Sequence, residues 1–241
     1  MNLKSISKKI RKTILNTIYT AKTGHIGGSL SCVDILISLY FGKHLKFDPK
    51  KPKLKDRDRL IVSKGHATAA YYSVLAHLGF IKISELQTYC RNNTRLATHL
   101  SGSVPGVEFD TGSLGHGLGI ACGLAYSAKI DKKKYKVFAL ISDGELYEGS
   151  VWEALLFASH YKLNNLIIIV DRNNQIVMDK TEDCIKLNPL EKKFKSFGYK
   201  TFQINGHSFK DLDRVFKKIM KKKNSPPTVV IANTIKGKGI S

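Results

Sequence analysis

An acid at the end of one apolar run and an amide at the end of the next could together grip a single hard cation. Val137 to Ile141 runs into Ser142-Asp143-Gly144, and Leu166 to Val170 runs into Asp171-Arg172-Asn173-Asn174. A helical pattern from Glu148 to about Tyr161 lies between them. Two strands joined by one helix make a right-handed βαβ unit, which brings both strand ends to the same edge of a parallel sheet. Open α/β sheets bind ligands at that edge. Asp143 and Asn173 then offer oxygens from neighbouring loops, and Gly144 leaves its backbone N–H open to an anion near a helix start. Mg2+ prefers octahedral oxygen ligation shared with substrate phosphates, so the pattern reads as an Mg2+–diphosphate site. The plainer alternative is an Asp-Gly turn closing a buried strand; the second loop, at the matching end of the next strand, favours the metal.

Histidines form a second group with chemical potential. His25, His66, His99, His116 and His207 stand in glycine-rich loops, and the first four precede residue 120. A single loop histidine is usually solvated or capping, but several between regular segments suggest donors converging on a polyanionic or polyhydroxylated ligand. His44, His77 and His160 fall on helical or helix-end patterns and read as structural.

The elements that must position these groups alternate. Leu3, Ile6, Ile10, Ile14 and Ile18 recur at helical spacing, which reads as a structural amphipathic helix rather than a targeting segment. A turn follows at Gly24 to Ser29, then a helix from about Cys32 to Phe41 capped by Ser29 or Ser31. Leu60 to Val62 reads as a short buried strand, followed by a helix to about Leu78 and another from Ser84 to Cys90. Residues 91–113 are irregular, and a glycine-punctuated helix spans about Leu114 to Lys129. After the βαβ unit come helix (Pro189 to Phe197), strand (Lys200 to Ile204), helix (Phe209 to Met220) and strand (Thr228 to Asn233). Such alternation predicts an α/β fold: a doubly wound, mainly parallel sheet with helices on both faces. At 241 residues the chain reads as one domain over 1–241.

Composition narrows the function classes. Hydrophobic residues at 42% and charged residues at 24% are ordinary for a globular protein, and no apolar stretch approaches the ~18 residues of a membrane helix. Cys32, Cys90, Cys122 and Cys184 are scattered, which suggests neither a zinc ribbon nor a disulfide framework and favours a reducing, cytoplasmic compartment. The formal net charge of +21 invites a nucleic-acid reading. Its lysines are spread over Lys50–Lys55, Lys132–Lys136, Lys192–Lys195 and Lys217–Lys223, without an aromatic platform or recognition helix. Solvated faces that help attract anionic substrates are the better reading.

Five ordered motifs carry a family resemblance: A-K-T-G-H-I-G-G-S-L-S (21–31), D-R-L-I-V-S-K-G-H-A (58–67), H-L-S-G-S-V-P-G-V-E-F-D-T-G-S-L-G-H-G (99–117), S-D-G-E-L-Y-E-G-S-V-W-E-A (142–154) and N-T-I-K-G-K-G (233–239). Together they resemble the N-terminal half of transketolase, most closely the split form in which that half is a separate polypeptide. The metal loops are similar to the Gly-Asp-Gly…Asn thiamine-diphosphate motif, with Ser142 in place of its first glycine. The resemblance implies a diphosphate-binding domain for thiamine diphosphate. Asp143, Asn173 and the backbone carbonyl of Gln175 would hold Mg2+; His66, the Gly144 N–H and Asn173 would serve the diphosphate; Gly112 and Leu114 would flank the thiamine rings. His25 and His99 would face sugar hydroxyls and move protons, while Glu148, with Glu153, would link paired cofactor sites across a dimer. The implied reaction moves a two-carbon ketol unit from a ketose phosphate to an aldose phosphate, as in the pentose phosphate pathway. The family's aromatic clamp and activating Glu lie in its C-terminal half, which implies a separate C-terminal subunit in a two-plus-two assembly.

Departures accompany the likeness. His116 stands where the family often has Gln, Lys180 replaces a usual glycine, and the sequence stops at Lys238-Gly239-Ile240-Ser241 where relatives usually continue to a further His. Competing readings are the metal-binding subunit of a 2-oxo-acid dehydrogenase, a deoxyxylulose phosphate synthase, and a noncatalytic basic module. The His25 and His99 loops favour a sugar over an oxo acid.

Overall fold

A computed structural model describes residues 2–221 and 226–240. Lys222 and Lys223 of the last basic run, and Ser241, lie outside the described residues. Five parallel strands, β1 (Arg59–Val62), β2 (Val137–Ser142), β3 (Leu166–Arg172), β4 (Lys200–Asn205) and β5 (Thr228–Asn233), stand in the order β1-β2-β3-β5-β4. Every residue of β2 and β3 is buried, as expected for parallel strands covered on both sides. Alternation divides them: Phe138, Leu140, Ile167 and Ile169 enter one apolar cluster, whereas Ala139, Ile141, Ile168 and Val170 enter the other.

The helices follow from crossover handedness. From β2 through α5 (Gly149–His160) to β3, and through α6 (Thr181–Cys184) and α7 (Leu190–Ser196) to β4, the chain advances in one direction across the sheet. Right-handed crossovers place α5 and α7 on one face, beside α4 (His116–Ile130). Between β4 and β5 the chain steps back, and the same handedness sends α8 (Phe209–Lys221) to the opposite face with α1 (Leu3–Ala21), α2 (Ile26–Phe41) and α3 (Thr68–Leu78). The sheet is thus doubly wound, with helices on both faces.

Several boundaries differ from the sequence expectation. The second helix begins at Ile26 rather than Cys32, and neither Ser29 nor Ser31 caps it. Gly27 and Gly28 have poor helix propensity, which hides this turn from a sequence reading. A Cβ on Gly28 would meet the His66 ring at 2.8 Å, so close packing sets the residue type there. The expected helix from Glu148 is preceded by a 3-10 turn, Gly144–Tyr147, and Glu148 is its extended junction with α5. Residues Ile83–Thr88 are 3-10 rather than α-helical.

Candidate functional site

Strands β2 and β3 pair with Ser142 opposite Asp171, so Asp143 and Asn173 leave the sheet on adjacent loops. Asp143 Oδ2 accepts the Asn174 N–H at 2.7 Å and lies 3.4 Å from Arg172 Nη1. Asn174 has φ 60°, a left-handed conformation that asparagine tolerates, and Asn173 Oδ1 accepts the Gln175 N–H at 3.1 Å. Asp143 is fully buried, and burial pushes its carboxyl up to about 6 despite the Asn174 N–H and Arg172. A desolvated acid of this kind is relieved by a bound cation. Among the described residues no group of three or more His, Cys, Asp or Glu gathers as a metal site. An ion here would therefore rest on mixed side-chain and backbone oxygens, a donor type that suits Mg2+. The residues fit such an ion.

Gly144 marks the contact between the two loops: a Cβ there would meet Ile176 Cγ2 at 2.9 Å. Its N–H donates to Asp143 Oδ1 at 3.0 Å, so an arriving anion competes with a carboxylate oxygen for that donor.

Three of the loop histidines come together. The His25 ring centroid lies 5.8 Å from that of His66 and 6.2 Å from that of His99. His25 stands at the residue just before α2, His66 sits in the 3-10 turn Gly65–Ala67 after β1, and His99 precedes the bridge between Leu100 and Thr111. Burial, then the Lys64 charge, drops the His66 pKa to about 3; burial and His99 lower that of His25. Both imidazoles are therefore neutral near pH 7, and each can donate one hydrogen bond while accepting another. Gly112 lies against His99, where a Cβ would approach the ring at 2.8 Å, and Leu114 is half-buried two residues on. His116 is exposed at the start of α4 and lines an open groove with His99, Gly112 and Ser113. Glu148 is exposed beside Gly115, and Glu153 is exposed one turn further on. His207 does not join this cluster; it bonds Asp34 and Ile235 instead.

The His66 and Gly112 loops are pressed together, for a Cβ on Gly65 would fall 2.6 Å from the Gly112 backbone. Gly65→Ala is expected to cost ~1–3 kcal/mol through forced backbone displacement. A urea midpoint equal to that of the unsubstituted chain would show that the contact is dispensable.

Sequence reasoning missed the residues beneath the site. Lys64 is fully buried, and its Nζ donates to Gly28 O at 3.0 Å and to Asp171 Oδ2. Asp171 also accepts Ser31 Oγ and Thr234 Oγ1, so α2, β1, β3 and the segment after β5 meet on one carboxylate. Glu145 is fully buried, accepting Ser63 Oγ, the Gly115 N–H at 2.9 Å and the Ser142 N–H at 3.3 Å. Arg172 ties Asp143 to Glu182 Oε1 (2.6 Å) and Thr181 Oγ1 (3.2 Å). A signal was available: Lys64 lies two residues past the buried end of β1 and Asp171 follows the apolar run Leu166 to Val170, and charges there are costly unless paired.

The chain is similar to known proteins of one family. Residues 3–241 match the family described as "Transketolase, thiamine diphosphate binding domain". The chain is 41% identical to one subunit of the apulose-4-phosphate transketolase of Phocaeicola vulgatus, over 98% of this chain and 83% of that protein. It is 37% identical to the 6-deoxy-6-sulfo-D-fructose transketolase subunit SqwG of a Clostridium species, over 100% of this chain and 87% of that one. A transketolase structure from Campylobacter jejuni superposes with a TM-score of 0.94 at 32% identity, covering 99% of this chain and 39% of that longer one.

Proposed function

The chain belongs to the transketolase family, matching its thiamine-diphosphate-binding domain, and from that premise we propose that residues 1–241 form one diphosphate-binding domain that serves as the N-terminal subunit of a split transketolase. With a separate C-terminal subunit it transfers a two-carbon ketol unit from a ketose phosphate to an aldose phosphate. The relatives named as subunits support the division of labour. The observation that carries the reading is a buried, raised-pKa Asp143 at adjoining strand ends with Asn173, on the sheet edge that also gathers His25, His66 and His99.

Asp143, Asn173 and the Gln175 carbonyl would hold Mg2+. His66, kept neutral by burial, would donate a ring N–H to the diphosphate without adding a charge, and the Gly144 N–H would turn to the same group. Gly112 and Leu114 would flank the thiamine rings. Thiamine diphosphate, when bound, supplies the electron sink for carbon–carbon cleavage. His25 and His99 would orient the sugar and move protons at its carbonyl and hydroxyl oxygens; a neutral His25 can accept one. Glu148 and Glu153, both exposed, would face a neighbouring subunit in a two-plus-two hetero-oligomer. The four cysteines are free and no described helix is long and apolar enough to cross a membrane, which fits a place in the cytoplasm.

The test combines the chain with its candidate C-terminal subunit, thiamine diphosphate and Mg2+, and follows ketol transfer by a coupled assay. Pentose phosphates are tried beside the sugars named for the relatives. Transfer is expected only with both chains present; robust transfer by this chain alone would refute the split reading. His99→Ala in the complex is expected to lower kcat by ~10²-fold or more with a smaller change in KM. A kcat within threefold of the unsubstituted complex would remove His99 from proton transfer.

A further inference from the structure

A bonded relay runs from the first helix to the segment that follows β5. Asp34, buried in α2, accepts Ser7 Oγ at 2.6 Å on one oxygen. Its other oxygen takes Arg11 Nη2 at 2.6 Å and His207 Nδ1 at 2.8 Å. His207 Nε2 accepts the Ile235 N–H at 2.9 Å. An accepting Nε2 and a carboxylate at Nδ1 together fix the neutral tautomer with its proton on Nδ1. Arg11 Nη1 meanwhile donates to Lys238 O at 2.5 Å and Leu30 O at 2.9 Å. The segment is thus gripped at Ile235 and at Lys238.

Between the two grips the segment reaches both halves of the candidate site. Lys236 Nζ donates to Ile176 O at 2.8 Å, one residue beyond Gln175. The Gly237 N–H donates to Gly27 O at 3.1 Å, two residues beyond His25. A Cβ on Gly27 would come within 3.0 Å of Lys236 Cγ, so the segment packs tightly on this turn. Residues 234–238 therefore form a strap laid across the metal loop and the His25 turn.

We propose that Arg11, Asp34 and His207 are positioning residues that hold this strap, and through it keep the Asn173–Ile176 loop and the His25–Gly28 turn in the arrangement that binds the cofactor. The inference rests on the cofactor-site reading above. None of the three residues needs to touch the ligand.

Two substitutions at one position separate the strap from ordinary packing. His207→Gln places an oxygen near the former Nε2, where it can still accept the Ile235 N–H. His207→Asn places an amide near the former Nδ1, where it can still donate to Asp34. Amide hydrogen exchange of residues 234–238 is measured on each variant, and the Kd of thiamine diphosphate with Mg2+ on each variant assembled with the C-terminal subunit. His207→Asn is expected to speed exchange at Ile235 and Gly237 and to weaken the cofactor roughly five- to tenfold, with His207→Gln, which loses only the Asp34 bond, less affected on both counts. Unchanged exchange and Kd in His207→Asn, or equal losses in both variants, would overturn the proposal. If the unsubstituted complex binds no thiamine diphosphate, the functional reading fails, and the exchange data alone then decide whether the strap is held as described.

Discussion

Asp143→Ala is expected to abolish Mg2+-dependent binding of thiamine diphosphate by the assembled enzyme, raising Kd by ~10²-fold or more. Loss of a residue that only orients a metal ligand commonly costs 10- to 100-fold in affinity, and Asp143 would be the ligand itself. It is also the only carboxylate in the proposed set, since Asn173 and Gln175 bring neutral oxygens. The same change separates binding from folding. Asp143 is fully buried, and its desolvation outweighs the Asn174 N–H and the approach of Arg172. Its ionised form is thus a burden on the unliganded chain. Asp143→Asn removes that charge while keeping the volume, and Arg172 retains Glu182 at 2.6 Å. The Asn variant should melt close to the temperature of the unsubstituted chain, relief of the buried charge being offset by an amide NH2 that faces the Gly144 N–H, while losing the cofactor. Titration calorimetry on the complex and thermal unfolding of the chain check the two halves. A Kd within threefold for either variant would mean that the cation, if any, is held elsewhere.

What could be read in advance had a local cause. Asp143 and Asn173 stood out because two apolar runs ended in polar loops with one helical pattern between them, and handedness does the rest. His25, His66 and His99 were visible because each sits at a glycine-rich turn, although their approach within about 6 Å in pairs involving His25 could not be read from spacing. The start of α2 was hidden for a related reason. Gly27 and Gly28 look like a turn, yet they lie within α2, where a Cβ on either would crowd the Lys236 or His66 side chain. Glu145 looked like one more acid in a charged motif. Its burial depends on Ser63 and Gly115, 82 and 30 residues away in the chain, so no window around it reveals the partners. The Gly144 N–H, expected to be open, is already engaged by the neighbouring Asp143 side chain, a detail of rotamer rather than of pattern. His207 shares its Gly-His signature with His25 and His66 but braces the strap, so that motif marks tight turns near the sheet edge and not a single chemical role.

Lys64→Met is expected to cost ~3–5 kcal/mol of folding stability, the range for removing one partner of a buried ion pair. Both side chains of the Lys64–Asp171 pair are fully buried. Burial alone would drive the Lys64 proton off, but the Asp171 charge reverses that and leaves its pKa raised above 10.5. The sign follows: a base with a raised folded pKa contributes fully below its unfolded value and loses that contribution only as pH climbs through the folded one. The Lys64 contribution should therefore be fully present at both pH 6 and pH 9. In the variant, Asp171 keeps Ser31 and Thr234 as donors but has no countercharge. Removing the carboxylate as well, in Lys64→Met with Asp171→Leu, should recover part of the loss, because two apolar groups no longer leave a stranded ion. Full recovery is not expected, since Ser31 and Thr234 then lose their acceptor. Function is coupled to this pair through geometry: Asp171 precedes Asn173 by two residues, and the Lys64 ammonium also bonds Gly28 O beside His66. The pair thus links the Asn173 loop, the proposed metal loop, to the imidazole cluster from beneath. A single variant that unfolds within about 1 kcal/mol of the unsubstituted chain in urea would show that the two charges are not paired in the dry interior.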